Sequence, residues 1–367
     1  MKRYKVAIIG TGGIAKIHAD ALKTLSDRAE LVACVDIDKE RVEQFASAYG
    51  ISQSFTDAAE MLETVKPDLV HICTPPNLHA ELSIMAVKAG AWALTEKPLC
   101  ASLAELDAIQ KAEEETGNYV SSVFQHRFGP GAAHLYRLIQ EQAMGRPLVG
   151  LCNTTWYRNE AYYAVPWRGK WSTELGGPTM GHGIHQIDLF LWLMGDWEEV
   201  RAMAATIARN IEVEDVSMAL VRFANGAMGS IVNSVLSPRE ESYLRFDFEK
   251  ATVELSHLYG YGPDNWKYTA GELADPEEFR RWSAVPSQKY GGHTAQIAAL
   301  LDSMDKGERP LVSGHEARRT LEFLTALYKA AFTGRPVRRG EIQPGDPFYE
   351  VIHGGYGKPG QKVGALS

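Results

Sequence analysis

A glycine-rich turn between two apolar runs is the feature that most constrains how this chain can fold. The apolar run over 5–9 leads directly into the turn, an amphipathic segment follows it, and a second apolar run over 31–35 ends at Asp36. The turn consists of Gly10, Thr11, Gly12, Gly13, Ile14 and Ala15. A G-x-G-x-x-A turn in this strand–turn–helix–strand setting is typical of a dinucleotide-binding βαβ unit.

Each residue type in this unit suits the binding of a dinucleotide. Gly10 permits the tight turn, Gly12 lets the backbone approach a pyrophosphate, and the helix that follows directs its N–H groups and positive dipole end at the phosphates. Asp36 can accept both hydroxyls of an adenosine ribose and would repel a 2′-phosphate. NAD is therefore favoured over NADP, although Lys39 and Arg41 stand nearby. The alternative is a glycine turn in some other α/β unit.

Composition and charge limit the classes of partner. The 367 residues are 45% hydrophobic and 23% charged, which is typical of a globular protein with two domains. The net charge is −8 without a block of lysine or arginine, which argues against nucleic acid or a membrane surface as the main partner. A first strand that begins by residue 5 leaves no room for a signal peptide. With four scattered cysteines, we expect reduced thiols in a cytoplasmic protein.

The order of the predicted elements indicates an α/β protein with two domains. Strands and helices alternate over 1–125, which predicts a dinucleotide-binding Rossmann domain with a doubly wound parallel sheet. Long alternating runs separated by turn residues follow over 126–367. They predict an α+β domain for substrate binding, with a large, mostly antiparallel sheet. If helices cover one face of that sheet, the other face is available for a homodimer or homotetramer.

Lys97 follows a predicted strand, at the edge of the first sheet where ligands bind. A partly desolvated lysine beside a nicotinamide cation would release its proton more readily, and could then accept or return an alcohol proton. The alternative is an exposed lysine in a turn between strand and helix.

His182, His185 and Asp188 recur every three residues at the start of a predicted apolar helix. They are therefore expected on neighbouring positions of one helical face. They could form a proton-transfer face, or a histidine could simply hold the preceding loop. We predict no metal, because no further cysteine, histidine or glutamate surrounds them in the sequence.

The segment 156–171 has six aromatic residues within 16 positions. Aromatic faces with polar tips suit stacking on a sugar ring, and arginines suit its hydroxyls. The predicted substrate contacts in this segment are Trp156, Tyr157, Tyr163, Trp167 and Arg168. The alternative is a lid that packs these rings on the protein or on a neighbouring subunit. Arg127, at the junction of the two domains, could reach the substrate or pair within the protein.

These motifs occur together and in order, and through them the chain resembles the glucose–fructose oxidoreductase/inositol dehydrogenase/rhizopine catabolism (Gfo/Idh/MocA) family of NAD(P)-dependent sugar and cyclitol oxidoreductases. The combination of Glu96, Lys97 and Pro98 with a later Gly-x-His-x-x-Asp motif is its most specific part. The stretch 162–177 looks like a branch that acts on pyranosides or sugar nucleotides.

The resemblance implies roles at matching positions. Lys97 would be the catalytic lysine and His185 the catalytic histidine, with His182 and His185 close to the substrate. Asp188 would orient the helix or contact the substrate. The remaining residues of the cofactor groove would be Thr74, Pro75, Asn77, His79, Glu96 and Lys97.

One position departs from the family pattern. Members commonly have Asp, sometimes Asn, four residues before the histidine, and this chain has Gly181 there. Glycine cannot relay a proton or fix the tautomer of an imidazole. We hypothesise that His182 or a water takes over the space, with Lys97 and His185 still handling the proton. Loss of ordinary dehydrogenase activity is the competing interpretation.

The function implied is hydride transfer between a secondary alcohol of a sugar, sugar derivative or cyclitol and NAD. Two alternatives stay open. One is an NAD-retaining glycoside hydrolase or lyase that acts by transient oxidation of the ring. The other is a non-catalytic, NAD-dependent regulator.

Overall fold

A computed structural model describes residues 3–287 and 291–357. They form two compact units: unit 1 is built from the described residues of 1–123 and 293–318, and unit 2 from those of 124–292 and 319–367. None of the helices in the described part of the chain has the length and apolar character that a membrane-spanning segment requires.

Unit 1 contains a parallel sheet of six strands. The strands are β1 (Tyr4–Ile9), β2 (Ala29–Val35), β3 (Gln53–Phe55), β4 (Leu69–Ile72), β5 (Trp92–Thr95) and β6 (Val120–Ser122). Their order in the sheet is β3-β2-β1-β4-β5-β6, so the order reverses between β1 and β4. This reversal is the topological switch of a doubly wound sheet. The predicted Rossmann fold is confirmed.

Five helices connect these strands, and local capping explains where most of them begin. The helices are α1 (Gly13–Thr24), α2 (Lys39–Tyr49), α3 (Ala58–Val65), α4 (His79–Lys88) and α5 (Leu103–Thr116). The side chains of Asp38, Asp57 and Ser102 accept backbone N–H groups at the starts of α2, α3 and α5. Helix α1 differs, because it begins from Gly12.

Unit 2 contains a mixed sheet of eight strands. They are β7 (Pro147–Tyr157), β8 (Trp197–Ala205), β9 (Val216–Phe223), β10 (Met228–Ser234), β11 (Leu236–Phe248), β12 (Ala251–His257), β13 (Trp266–Ala270) and β14 (Val337–Arg338). The order is β13-β12-β11-β7-β10-β9-β8-β14, and β7 and β10 are parallel while the other neighbours are antiparallel. The predicted large, mostly antiparallel sheet is confirmed.

The remaining helices are α6 (Pro130–Gln140), α7 (Glu160–Tyr163), α8 (Ile184–Met194), α9 (Pro276–Trp282), α10 (Gly292–Lys306), α11 (His315–Thr333) and α12 (Pro347–Glu350). Short 3₁₀ turns cover Pro76–Leu78, Gln125–Phe128 and Pro263–Asn265.

Residues 293–318 belong to unit 1, whereas the sequence pattern predicts one boundary between 125 and 126. Long-range polar contacts explain the difference. On α10, Gln296 donates to the backbone oxygen of Ser122 at 2.7 Å, and Asp302 accepts from Arg28 at 2.6 Å. Ser122 in turn donates its backbone N–H to the oxygen of Val312 at 2.9 Å. Such pairings join distant parts of the chain, and helix periodicity carries no information about them.

Helix α8 packs its aromatic side chain Phe190 on the sheet of unit 2. Gly150 on β7 and Gly229 on β10 are register partners, and a Cβ on either would lie within 2.8 Å of the Phe190 ring. The two glycines therefore leave the space that the ring fills. This contact places the apolar face of α8 against the sheet and directs the other positions of the helix away from it.

A π-helical turn over Thr179–Gly183 leads into α8. The buried carboxylate of Glu214 accepts the backbone N–H groups of Gly177 and Thr179 at 2.9 and 3.2 Å, which satisfies donors at the start of this helical segment. π-Helical turns are frequent at functional sites.

Two glycines of this turn differ in the space beside them, which gives a matched test of packing. A Cβ on Gly183 would lie 2.0 Å from Oδ1 of the buried Asn233, whereas a Cβ on Gly181 would have 3.5 Å to its neighbour. We expect Gly183→Ala to lower the free energy of unfolding by about 1–3 kcal/mol, because the core must shift. Gly181→Ala should be neutral or should stabilise by up to about 1 kcal/mol, because alanine favours helix. Chemical denaturation measures both. Equal effects of the two variants would contradict the packing described here.

Candidate active site

The turn between β1 and α1 has the shape of a phosphate cradle. Gly10 has φ +89°, and a Cβ there would lie 2.8 Å from the carbonyl carbon of Cys73, so only glycine fits. Side-chain positions at Gly12 and Gly13 would meet open space. Within the described residues, no side chain caps the N-terminus of α1 and its first turn has no acidic residue. The first N–H groups of the helix can therefore bind a phosphate.

Asp36 stands at the carboxyl end of β2, beside this cradle. Its Oδ2 accepts the backbone N–H and the hydroxyl of Thr11, both at 2.9 Å. Arg41 donates to both carboxylate oxygens, at 3.0 and 2.6 Å. Burial would raise the pKa of the Asp36 carboxyl, but these hydrogen bonds, with Arg41 foremost, lower it to about 2. Asp36 is thus ionised at neutral pH, as an acceptor for ribose hydroxyls should be, and the residues present fit a dinucleotide.

Lys97 is the second residue after β5 and is half-buried. Its backbone N–H donates to Oε2 of Glu96 at 3.2 Å, and the peptide bond between Lys97 and Pro98 is cis. Because β4 and β5 are parallel neighbours with Ile72 opposite Thr95, the turns after both strands lie at one edge of the sheet. The predicted cofactor residues Thr74, Pro75, Asn77, Glu96 and Lys97 all lie in these two turns.

Glu96 belongs to a buried cluster with three histidines. Its Oε1 is 3.0 Å from Nε2 of His18 and 3.5 Å from Nε2 of His293, and the Nδ1 atoms of His18 and His71 are 3.0 Å apart. Burial would raise the pKa of the Glu96 carboxyl, but the histidine donors hold it well below its usual range. Burial lowers the pKa of His18 and of His71. His18 therefore donates a hydrogen bond from Nε2 to the carboxylate of Glu96, the residue next to Lys97.

Sequence reasoning did not identify this cluster. The ligand atoms of His18, Glu96 and His293 lie within 4.8 Å of one another, a separation that could hold a metal ion, and hydrogen bonds account for it equally well. The only signal was the place of His18 on the buried face of α1. His293 lies almost 200 positions further along the chain than Glu96, and no motif marks it. The absence of a metal stays a prediction.

His79 bridges the two turns of this edge. Its Nδ1 is 2.7 Å from the carbonyl oxygen of Pro98 and its Nε2 is 2.9 Å from that of Thr74. The ring is fully buried, and burial lowers its pKa. His79 therefore fixes the turns that follow β4 and β5 with respect to each other. Its predicted contact with the cofactor stays a prediction.

In unit 2, Asp188 on α8 forms a buried ion pair with Arg127. The guanidinium donates from Nε and Nη2 to the two carboxylate oxygens, at 2.7 and 2.6 Å, and the hydroxyl of Thr320 donates to the same carboxylate at 2.7 Å. Both charged side chains are withdrawn from solvent. Of the two possibilities for Arg127, the structure shows pairing within the protein.

His185, three residues before Asp188, is buried in the first turn of α8. Its ring centroid lies 5.2 Å from that of His126 and 6.5 Å from that of Phe124, both in the segment that contains Arg127. The ion pair and these rings hold the helical turn that bears His185.

His182 lies in the π-helical turn, in a cluster with the aromatic segment. Nε of Arg158 donates to Nε2 of His182 at 3.1 Å, and the Tyr162 hydroxyl is 3.3 Å from the same nitrogen. Because arginine can only donate, Nε2 of His182 is the acceptor of this hydrogen bond. The Trp156 ring lies 4.9 Å from the His182 ring, and its Nε1 donates to Ser242 at 3.1 Å. His182 thus orients Arg158, a residue that the sequence prediction did not include.

The guanidinium groups of two arginines lie on the rings of the aromatic segment. Arg158 is 5.3 Å and Arg168 is 3.8 Å from the centroid of Tyr162, and Arg168 is also 4.6 Å from that of Trp167. Tyr163 is half-buried, and burial, followed by the charge of Glu174, raises its pKa. The rings of this segment are therefore interleaved with arginines, and their contact with a substrate stays a prediction. Tyr162 had no assigned contact in the sequence prediction, yet both guanidinium groups lie over its ring.

Tyr157 lies apart from these rings. It is 44% exposed, and the guanidinium of Arg209 is 5.1 Å from its ring centroid. Its predicted contact with the substrate stays a prediction.

Comparison with known protein families identifies the family to which both units belong. The family described as "Oxidoreductase family, NAD-binding Rossmann fold" matches residues 4–124, and the GFO/IDH/MocA C-terminal domain matches residues 132–254. The chain belongs to the GFO/IDH/MocA family. The resemblance noted from its motifs is confirmed.

Relatives of this GFO/IDH/MocA protein match it along nearly its whole length. The D-apiose dehydrogenase of Paraburkholderia graminis is 27% identical, and the match covers 95% of this chain and 92% of the relative. The scyllo-inositol 2-dehydrogenase (NAD(+)) of Bacillus subtilis is 31% identical, with coverage of 92% and 96%. The WlbA dehydrogenase from Bordetella pertussis, solved in complex with NADH and UDP-GlcNAcA, superposes with a TM-score of 0.82 at 29% identity, covering 92% of this chain and 99% of that one.

The protein is an NAD-dependent oxidoreductase that acts on CH–OH groups. It transfers a hydride between a secondary alcohol of a sugar, sugar derivative or cyclitol and the nicotinamide. NAD as cofactor and the class of reaction are as the sequence predicts.

The buried ion pair gives a test that separates a structural role of Arg127 from substrate binding. We expect Arg127→Met to lower the free energy of unfolding by about 3–5 kcal/mol, because Asp188 would keep a buried charge without its partner. The control is Arg137→Met, which removes an exposed pair with Glu141 and should cost at most about 1 kcal/mol. Denaturant titration measures both variants. A raised KM with unchanged stability of Arg127→Met would instead favour substrate binding.

Proposed function

We propose that this enzyme oxidises a secondary ring hydroxyl of a pyranose-type sugar derivative, and that Lys97 and His185 handle the hydroxyl proton. The single observation that supports the substrate class is the cluster around His182. It combines the faces of Trp156 and Tyr162 with two guanidinium groups, immediately before the helix that bears His185. Aromatic faces bind the C–H surface of a sugar ring, and arginines donate to its oxygens.

The chain's own residues have distinct parts in this proposal. NAD, when bound, supplies the hydride acceptor, held by the cradle after β1 and by Asp36. Lys97 accepts the hydroxyl proton during oxidation and returns it during reduction, and His185 assists this transfer. The substrate-binding residues would be Trp156, Tyr157, Tyr163, Trp167, Arg168, His182 and His185, to which the structure adds Arg158 and Tyr162. We propose that Arg127 and Asp188 hold α8 in place and do not contact the substrate.

Arg158 and Arg168 also suit a substrate with an anionic group. Their present counter-charges are Glu240, 3.1 Å from Arg158, and Glu174, 3.6 Å from Arg168. Glu240 is about one-third exposed, so a carboxylate or phosphate of the substrate can replace it beside Arg158. We therefore place sugar acids and sugar nucleotides beside neutral glycosides among the substrates to be tested.

The test is a screen for NAD⁺ reduction over inositols, free monosaccharides, glycosides and sugar acids. We expect turnover with members of the pyranose classes, and we expect Lys97→Met to lower kcat by at least about 100-fold, because the proton acceptor is lost. NADH fluorescence gives the control that Lys97→Met still binds the cofactor. Activity of Lys97→Met within threefold of the unsubstituted enzyme would contradict the assignment.

The same screen separates the two alternative functions. Release of an aglycone without net NADH would indicate an NAD-retaining glycoside hydrolase or lyase. Tight NADH binding without turnover of any compound would indicate a non-catalytic regulator.

We further propose a homodimer or homotetramer formed through the sheet of unit 2. One face of strands β8–β10 presents Met203, Met218, Leu220 and Met228, all more than half exposed. Met203 and Met218 are register partners, so these side chains lie on neighbouring strands of one face. An exposed apolar patch of this kind marks an interaction surface. Light scattering should give at least a dimeric mass at micromolar concentration, and a monomeric mass would contradict the proposal.

A cytoplasmic location is proposed on the four cysteines, which are all buried with free thiols. Recovery of the protein from an extracytoplasmic fraction would contradict it.

A further inference from the structure

Glu174 places a carboxylate oxygen beside Gly181, where the chain itself has no side chain. A Cβ built on Gly181 would have Oε1 of Glu174 as its neighbour at 3.5 Å, an ordinary van der Waals distance. The backbone of Gly181 does not require glycine, because it has no positive φ. The position therefore has room for a side chain, and the chain has an acidic group there that comes from another residue.

The Glu174 carboxylate is buried and anchored through its second oxygen. The residue is 6% exposed, and Oε2 accepts the backbone N–H of Gly169 at 2.5 Å. Nη1 of Arg168 is 3.6 Å from Oε1, and this cation offsets part of the cost of burying the charge. The carboxylate also lies by the first turns of a helical segment, where the positive end of the dipole stabilises an anion. Glu174 is therefore held with Oε1 directed at the position of Gly181.

A carboxylate at this place can act on His185. Gly181 in the π-helical turn and His185 in the first turn of α8 are four positions apart on one continuous helical segment, so they lie on successive turns of it. An anion beside an imidazole fixes its orientation and tautomer and stabilises the protonated form. Gly181 cannot do this, and Glu174 is the acidic side chain that the structure brings to it.

We propose that Glu174 is the positioning residue for His185, supplying from the preceding loop the carboxylate that position 181 lacks. This inference rests on the proposed role of His185 in proton transfer. Glu174 itself takes no proton from the substrate. Its charge favours the imidazolium, and its anchored position holds the imidazole for the transfer.

The first test is Glu174→Gln. The variant keeps the size of the side chain and an oxygen that can accept the Gly169 N–H, but it removes the charge. We expect kcat/KM for oxidation to fall by about 10–100-fold, as when the hydrogen-bond partner of a metal-binding histidine is removed. The acidic limb of the pH profile of kcat/KM should move to lower pH, because an imidazolium without its counter-charge loses its proton more easily. NADH affinity and the melting temperature should stay unchanged.

The second test moves the carboxylate. Glu174→Gln combined with Gly181→Asp should recover most of the lost activity and should return the acidic limb towards its original pH. Gly181→Asp alone adds a second negative charge and should move the acidic limb of the pH profile to higher pH. This result is informative even if Glu174→Gln does not fold. The control is Glu160→Gln, which removes an exposed carboxylate at the start of α7 and should leave activity and pH profile as they are.

Two results would overturn the inference. One is an unchanged activity and pH profile in both Glu174→Gln and Gly181→Asp. The other is a loss in Glu174→Gln that comes with a lower melting temperature, an unmoved pH profile and no recovery in the double variant, since this describes a purely structural residue. His185→Ala tests the proposed function separately from the role of Glu174. If this variant keeps full activity, the proposed function fails. If it loses activity while Glu174→Gln does not, only the role of Glu174 fails.

Discussion

The buried pairing of Arg127 with Asp188 is the interaction on which the arrangement of unit 2 depends. Two charge-assisted hydrogen bonds of 2.7 and 2.6 Å join side chains that have no contact with solvent. Charges in an interior destabilise a protein unless hydrogen bonds match them, and here the Thr320 hydroxyl completes the set. Because Asp188 follows His185 by three residues, the pair fixes the rotation of α8 about its axis. The orientation of the proposed catalytic histidine is thus set by a polar contact inside the core.

The glycines of the segment before α8 are not equally required by the packing around them. Gly177 is required because a Cβ would lie 1.7 Å from the carbonyl oxygen of Glu214, and Gly183 because of Asn233. Gly181 has room for a side chain. Carboxylates approach this helical segment from outside it: Glu214 accepts its free N–H groups, and Glu174 lies beside Gly181. The positive end of a helix favours acidic side chains beside it, and here they come from residues outside the helical segment.

The sequence predicted well where chemistry depends on residues close together in the chain. The turn from Gly10 to Ala15 has the strand before it, the helix after it and Asp36 at the end of the next strand, all as expected. It predicted less where a side chain meets a distant partner. The sequence left two possibilities for Arg127, and the structure shows that it pairs with Asp188. The sequence around Lys97 did not indicate that Glu96 hydrogen-bonds to His18 and lies beside His293. These contacts span between about 60 and 200 positions, a distance at which no periodicity or motif carries information.

The two kinds of sheet, the dinucleotide turn and the residue types available for proton transfer can all be predicted from the amino-acid sequence. Hydrophobic period, glycine spacing and strand-end residues are local properties, and local sterics and hydrogen bonding convert them directly into structure. Three features depend on the folded domain: His182 accepts a hydrogen bond from Arg158, residues 293–318 complete unit 1, and a carboxylate reaches Gly181 from position 174. The charge state and the role of a buried polar group depend on its hydrogen-bond partners, because it has no contact with water. The packing of the whole domain determines which partners lie beside it.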